Sequence, residues 1–172
     1  MPAIFTLSVI SDIDFLIPLI EHRGPTHSII VAIMIFAPIL ATYRRKAVPY
    51  LAAFIHHPLL GDYMTARGVQ LFWPITMGYY GIAIEDRLEI YLEWLLFATL
   101  IIVMLKAKDV ATLLQPKNSN IILTIPSFTV LLPPFLEFPL KVPASLILPH
   151  AICLALFSAS LLMEILCFLG KN

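Results

Sequence analysis

The stretch SDIDFLIPLIEHRGPTH, from Ser11 to His27, decides how this sequence is interpreted. Two aspartates, a glutamate and two histidines lie in the sixteen residues from Asp12 to His27, inside an otherwise apolar chain. A second polar island, HHPLLGDYMTARG, follows at His56 to Gly68. Carboxylates and imidazoles in an apolar chain are costly unless they have partners. We therefore predict that the two islands partner each other through a metal ion.

Composition places the chain among integral membrane proteins. Hydrophobic residues make up 60% and charged residues 13% of the 172 residues, and the mean hydropathy is +0.92. Soluble domains average about 45–50% apolar and about 25% charged residues. Eleven basic and eleven acidic residues cancel, so nucleic acid is not expected as a stable partner. The expected partner is the lipid bilayer, and the sequence does not fix an oligomeric state.

The length accommodates roughly four to six membrane-crossing segments. We predict an all-α, polytopic helical bundle that forms a single membrane domain over residues 1–172. Residues 1–84 would carry the polar islands at segment ends, and residues 85–172 would be the supporting transmembrane half, with a polar linker at 109–120.

Four apolar segments are the clearest candidates for crossing, and a fifth is interrupted. Thr26 is expected to cap the first of them and Pro38 to kink it. The fifth segment, Ile121 to Leu140, carries prolines that predict a kinked or broken helix. The four clear segments are Ser28 to Tyr43, Ala47 to Leu60, Ile90 to Leu105 and Leu146 to Leu169.

Basic clusters predict the orientation. Arg44 to Lys46, the lysines between Lys106 and Lys117, and Lys171 are expected to share the cytoplasmic side. This orientation puts both polar islands at the extracytoplasmic interface of a multi-pass cell-membrane protein. A cleavable signal peptide is not expected, because the N-terminus lacks a basic region and the two aspartates interrupt its apolar run.

The residue types of the islands suit a divalent metal ion. Imidazole and carboxylate ligands without thiolate favour Zn²⁺, with Mn²⁺ or Fe²⁺ as alternatives. The donors exceed what one tetrahedral ion needs, so one ion or two ions about 3.5–4 Å apart are both open. The candidate ligands are Asp12, Asp14, His22, His27, His56, His57 and Asp62.

Three further residues are candidates for catalysis. Arg23 and Arg67 stand beside the two islands, where a guanidinium can hold the oxygens of a phosphate. Glu21 is a candidate base, or a partner that orients a histidine. Two other functions remain open: a non-catalytic metal-binding or scaffolding membrane protein, and a small ion-coupled transporter.

The order of the motifs resembles the YdjM-type membrane-bound metal-dependent hydrolases. The resemblance rests on DID at 12–14, HRGPTHS at 22–28 and DYMTARGVQLFWP at 62–74, under half of the chain. This family is thought to be remotely related to zinc-dependent phospholipase C and the P1-type nucleases. The resemblance therefore implies a multi-metal site, with zinc as the first candidate, that cuts phosphoester bonds, and a phospholipid or another phosphodiester is the expected substrate.

The sequence departs from the family pattern in two places. Family members usually carry a histidine ahead of the D-x-D motif, and here nothing upstream of Asp12 can serve. The family also places a histidine four residues before the second-island aspartate, whereas His57 lies five and His56 six residues before Asp62. Either histidine can be the ligand on this pattern.

Overall fold

The computed structural model describes residues 1–136 and 143–170. Within these ranges the chain is helical and has one isolated β-bridge, between Val69 and Tyr80, which confirms the predicted all-α class. The chain divides into two compact units: Ile4–Glu85, and Met1–Ala3 together with Asp86–Asn172.

The N-terminal part contains three α-helices linked by tight helical turns. Helix α1 covers Pro2–Ser8, α2 covers Ile29–Tyr43 and α3 covers Val48–His56. The turns are 3-10 helices at Ile10–Leu16, Pro25–His27, Arg44–Lys46 and Asp62–Met64, and a π-helical turn at His57–Gly61.

Helices α2 and α3 pack through a small apolar contact. Phe36 and Phe54 are buried with ring centroids 5.6 Å apart in an edge-to-face arrangement, beside the buried Ala32. The other faces of α2 leave Ile33 and Met34 more than half exposed. A helix that is apolar all round but buried along one stripe is typical of one surrounded by lipid. Pro38 lies inside α2 without ending it.

Ser28, rather than Thr26, caps helix α2. The Ser28 hydroxyl oxygen accepts from the backbone N–H groups of Ile30 and Val31, and its one proton is shared between the carbonyls of Leu71 and Trp73. The predicted cap was wrong because the Pro25–His27 turn delays the helix by two residues. One buried serine therefore starts α2 and ties it to the loop that follows the second polar island.

The loop from Thr65 to Glu85 is held by backbone contacts rather than by helices. Val69 and Tyr80 exchange two N–H to C=O hydrogen bonds, each 2.9 Å long. Gly68 has a φ of +67°, and a Cβ there would lie 2.6 Å from the Tyr80 carbonyl oxygen, so this position requires glycine. The loop thereby presents the backbone of Gln70 to the first polar island.

The C-terminal unit contains α4 (Asp86–Lys106), α5 (Asp109–Leu113), α6 (Thr124–Pro126), α7 (Pro133–Leu136) and α8 (Ile147–Leu169). Among the residues that the structure describes, two stretches are long and apolar enough to cross a membrane: Arg87–Lys106, with mean hydropathy 2.1, and Ala144–Leu169, with mean hydropathy 2.4. Only 6% and 11% of these stretches are buried within the structure. They therefore differ from the buried core helices of a soluble protein.

The predicted polar linker at 109–120 is partly helical, and its residues 115–119 are exposed. It begins with helix α5, and its Asn120 side chain donates to the carbonyls of Leu113 and Gln115. The buried Ser160 hydroxyl of α8 also donates to the Leu113 carbonyl, at 2.6 Å. These side-chain donors compensate the free carbonyls at the end of a short helix.

Prolines break the next segment, as predicted. The chain passes from a 3-10 helix at Asn118–Leu123 through α6 and a π-helical turn at Ser127–Leu131 to α7. The last proline of this segment, Pro139, and the basic residue Lys171 lie outside the described residues.

Ser28→Ala should destabilise the fold, because it removes both the α2 cap and the hydrogen bond that the hydroxyl shares between two loop carbonyls. We expect a loss of about 1–2 kcal/mol, measured as a lower thermal unfolding midpoint in detergent. Ser8→Ala is the matched control, since Ser8 only donates to Phe5 within its own helix. Equal midpoints for the two variants would contradict the capping role.

Candidate metal centre

His27 lies at the centre of the polar cluster, with its side chain fully buried. Its Nε2 is 3.2 Å from Asp12 Oδ1, and its Nδ1 is 3.3 Å from Asp14 Oδ2. The two carboxylates of the D-x-D motif therefore lie at opposite nitrogens of one imidazole ring.

The local helix type explains this arrangement. Both aspartates belong to the 3-10 helix Ile10–Leu16, which follows α1. With about three residues per turn, positions two apart point about 120° from each other. Asp12 and Asp14 can then reach the two sides of His27 while Ile13, between them, points away.

The second polar island contributes His57 and Asp62. His57 Nε2 is 3.1 Å from Asp12 Oδ2 and 3.4 Å from Asp62 Oδ2. Asp62 Oδ2 is also 3.2 Å from His27 Nε2. The two islands thus meet at a single point, whereas His56 is exposed and lies outside the cluster.

A π-helical turn accounts for the unusual spacing of the second island. Residues 57–61 form this turn, and the Asp62 N–H donates to the His57 carbonyl, five residues back. A π-turn inserts one residue into helical geometry, so its five-residue spacing replaces the four-residue spacing of an α-helix. The departure from the family spacing is therefore absorbed locally, and it brings His57 rather than His56 to Asp62.

His22 and Thr26 surround Asp14. His22 Nδ1 is 3.1 Å from Asp14 Oδ1, and the Thr26 hydroxyl donates to Asp14 Oδ2 at 2.8 Å. The His22 ring packs edge-on against His27, with centroids 5.3 Å apart. Thr26 was expected to cap a helix, but its hydroxyl instead binds Asp14. Its position directly before His27 was the feature of the sequence that could have indicated this role.

Arg23 connects Asp62 to the following loop. Its Nε lies 2.9 Å from Asp62 Oδ1, and its Nη1 donates to the Thr65 hydroxyl. Its backbone has a φ of +66°, and its carbonyl accepts from the Gln70 N–H at 3.0 Å. The guanidinium is therefore engaged with the chain itself, in contrast to the phosphate-holding position considered from the sequence.

Glu21 and Arg67 are exposed and lie outside the groups of clustered His and Asp atoms. Both act on Tyr79. Burial, followed by hydrogen bonding and charge from Glu21, raises the pKa of the Tyr79 hydroxyl, while Arg67 opposes the shift. The structure thus relates these two candidates to Tyr79 rather than to the His and Asp cluster.

Charge balance favours a divalent cation in the cluster. Asp12, Asp14 and Asp62 have buried side chains, and the Arg23 guanidinium offsets one of their three negative charges. Buried uncompensated charge is strongly unfavourable. Two positive charges are therefore needed, which a divalent ion or two protonated imidazoles can supply.

The pKa directions fit the protonated alternative when no ion is bound. Burial opposes ionisation of Asp12 and Asp14, but hydrogen bonds from the imidazoles outweigh it and hold both pKa values well below their usual range. Burial likewise opposes charge on His27, but the Asp12 and Asp14 carboxylates outweigh it and raise the pKa of His27 to about 9. The pKa of His57 is raised against burial by Asp12 and Asp62.

The donor geometry also fits a metal. Ligand atoms of Asp12, His27 and His57 lie within 4.8 Å of one another, as do those of Asp14, His22 and His27. Asp62 Oδ2 is buried and accepts no hydrogen bond from the residues that the structure describes. A buried carboxylate oxygen without a hydrogen bond, beside two imidazole nitrogens, is available as a ligand for a cation.

A family model described as YdjM inner membrane protein matches residues 1–138, most of the chain. The matched range includes both polar islands. No curated protein and no solved structure matches the chain.

In metal-free protein, stability should fall as the pH rises from about 6.5 to about 9. The pKa of His27 is about 9 when folded, against 6.5 for the free side chain. The stabilising charge is therefore fully present below pH 6.5 and is lost as the pH rises through the folded value. The measurement is the thermal unfolding midpoint in detergent with a chelator, and a midpoint that rises across this range would contradict the expectation.

His57→Ala should reduce bound metal, whereas His56→Ala should leave it unchanged. The two histidines are neighbours of the same type, but only His57 has a ring nitrogen within 3.4 Å of Asp12 and Asp62. Metal content per chain after zinc loading and dialysis gives the comparison. Equal losses in both variants would mean that the π-helical turn does not select the ligand.

Proposed function

This chain belongs to the YdjM inner membrane protein family, and we propose that it is a metal-dependent hydrolase that cleaves a phosphoester at the membrane. One observation carries the proposal. The two polar islands are separated by the 28 residues of 28–55. They meet around Asp62 Oδ2, which is buried and has no hydrogen bond among the described residues. Such convergence of carboxylates and imidazoles suits zinc, with manganese or iron(II) as alternatives.

A divalent ion in this cluster would supply Lewis acidity and lower the pKa of a water molecule. The side chains of this protein would hold the ion and orient its ligands. Asp12, His27, His57 and Asp62 would hold the ion, and Arg23 fixes Asp62 through its 2.9 Å contact. The side chains of His22 and His57 remain about one quarter exposed, at 24% and 26%. They mark the edge from which a substrate can approach.

The membrane arrangement supports a lipid-like substrate. His27 precedes α2 and His57 follows α3, while the exposed Arg44, Arg45 and Lys46 join the opposite ends of these helices. If the basic turn is cytoplasmic, the metal cluster faces the extracytoplasmic headgroups. In this proposal, the chain crosses the membrane in four to six segments. Helix α2 is only about 22 Å long, so it would cross where the bilayer is thin.

A structural metal site is the main rival, and a specific observation favours it. Asp12, His27, His57 and Asp62 together offer four protein ligands, and four protein ligands close the tetrahedron of a structural zinc. Catalysis needs a further position on the ion, such as a five-coordinate arrangement. Turnover by the metal-loaded protein therefore separates the hydrolase from a metal-stabilised scaffold.

Asp62→Asn should abolish hydrolysis and lower metal content together. The variant keeps the size of the side chain but removes the negative charge that faces both imidazoles. The assay uses zinc-loaded protein in nanodiscs with a chromogenic phosphodiester and with phospholipids as separate substrates. We expect a rate loss greater than about 100-fold, beyond the usual effect of outer partners.

Two further variants serve as comparisons in this experiment. Arg23→Lys keeps the charge but not the fork that contacts Asp62 and Thr65, so the rate should fall while metal remains bound. His150→Ala should behave like the wild type, since His150 contacts the Leu146 carbonyl within the C-terminal unit. Zinc-loaded wild type that cleaves neither substrate class would favour the structural-metal rival.

A further inference from the structure

Two sets of side chains in the cluster can each surround an ion, and both use His27. One set approaches its Nε2 and contains Asp12, His57 and Asp62; the other approaches its Nδ1 and contains Asp14 and His22. We infer that only the Nε2 set binds an ion, that the chain holds one ion, and that Asp14 positions His27 without touching the metal. This rests on the proposed function only in requiring a metal ion.

The hydrogen bonds around Thr26 determine which nitrogen of His27 carries a proton. The Thr26 hydroxyl donates its single proton to Asp14 Oδ2, at 2.8 Å. Its oxygen lies 3.0 Å from His27 Nδ1, so in this contact the oxygen accepts and Nδ1 donates. Asp14 Oδ2, 3.3 Å from the same nitrogen, is a second acceptor. Nδ1 therefore carries hydrogen in the neutral ring.

A neutral imidazole offers a lone pair from one nitrogen only. With hydrogen on Nδ1, that lone pair is on Nε2, which faces Asp12 and Asp62. An ion bound at Nδ1 would displace the hydrogen that Thr26 and Asp14 accept. Ions at both nitrogens at once would require the imidazolate form of His27. The two sets are therefore mutually exclusive for an ordinary histidine.

The spacing on the Nε2 side matches a single ion. Zinc bonds of about 2.0–2.1 Å place the donor atoms of a tetrahedral site roughly 3.3–3.4 Å apart. His27 Nε2 is 3.2 Å from both Asp12 Oδ1 and Asp62 Oδ2, and His57 Nε2 is 3.4 Å from Asp62 Oδ2. These contacts have the lengths of tetrahedral edges, and the Asp62 oxygen accepts no hydrogen bond among the described residues.

The oxygens of Asp14 already have partners. Oδ1 faces His22 Nδ1 at 3.1 Å, and Oδ2 accepts from Thr26. A carboxylate that receives the free N–H of a metal-bound imidazole fixes the ring and raises its basicity as a ligand. Asp14 is placed for that role toward His27, and its side chain is fully buried.

Metal stoichiometry tests the inference directly. Native mass spectrometry of the full chain, released from detergent after saturation with zinc, should show one ion per wild-type chain. Asp14→Asn should still bind one ion, with affinity lowered by about 10–100-fold. Asp12→Asn should lose the ion. Two ions per wild-type chain, or loss of the ion from Asp14→Asn with retained fold, would overturn the assignment.

X-ray absorption at the zinc edge supplies a second test that does not depend on the Asp14 variant folding. The wild type should show two imidazole ligands and no neighbouring metal. His22→Ala changes a partly exposed side chain and should leave the zinc spectrum as in the wild type. A second metal at about 3.5–4 Å, or one imidazole fewer in His22→Ala, would place ions on the Asp14 side.

The outcomes separate this inference from the proposed hydrolysis. If one ion is bound as described but no phosphoester is cleaved, the ligand assignment stands and the proposed hydrolase activity is contradicted. Two ions with phosphoester cleavage would overturn the single-ion assignment and support the enzyme.

Discussion

The burial of His27 between carboxylates is the constraint on which the N-terminal unit depends. Three buried aspartate side chains near one ring carry more negative charge than Arg23 offsets. Their burial is stable only if protons on imidazoles or a divalent cation supply the remaining charge. Raised pKa values at His27 and His57 show the first solution. The same nitrogen and carboxylate atoms lie close enough together to hold a metal ion in place of those protons.

Three consecutive residues join this cluster to the fold. Thr26 donates to Asp14, His27 occupies the centre, and Ser28 caps α2 while it donates to the carbonyls of Leu71 and Trp73. The 3-10 turn at Pro25–His27 gives each of the three a separate direction. A change in this turn would therefore move the ligand and the start of the helix together. Fold and site share their most constrained backbone here, which explains why polar residues stand so densely in an apolar chain.

Much of the candidate site and the helical class could be predicted from the sequence, because charged residues and histidines are rare in so apolar a chain. The polar islands were visible as charged and imidazole side chains in an apolar chain, and composition indicated membrane helices. Local backbone geometry was less accessible. The choice of His57 over His56 depends on the π-helical turn, which inserts one residue where periodicity expects an α-helix. The cap at Ser28 and the helix at Asp109–Leu113 likewise depend on contacts from residues distant in sequence, Leu71 and Ser160. Such contacts leave no local pattern.

The engagement of Arg23 bears on how the site could recognise a substrate. A guanidinium free to bind phosphate would leave the Asp62 charge with less compensation, whereas the 2.9 Å contact with Arg23 holds the Asp62 carboxylate beside both imidazoles. Recognition of a phosphoester would then rest on the ion and on groups at the exposed edge. Arg67 is exposed and lies in a loop whose backbone is tied to the first island through Gln70 and Arg23. Because Arg23 contacts Asp62, Arg67 is the one of these two arginines whose side chain is exposed to solvent.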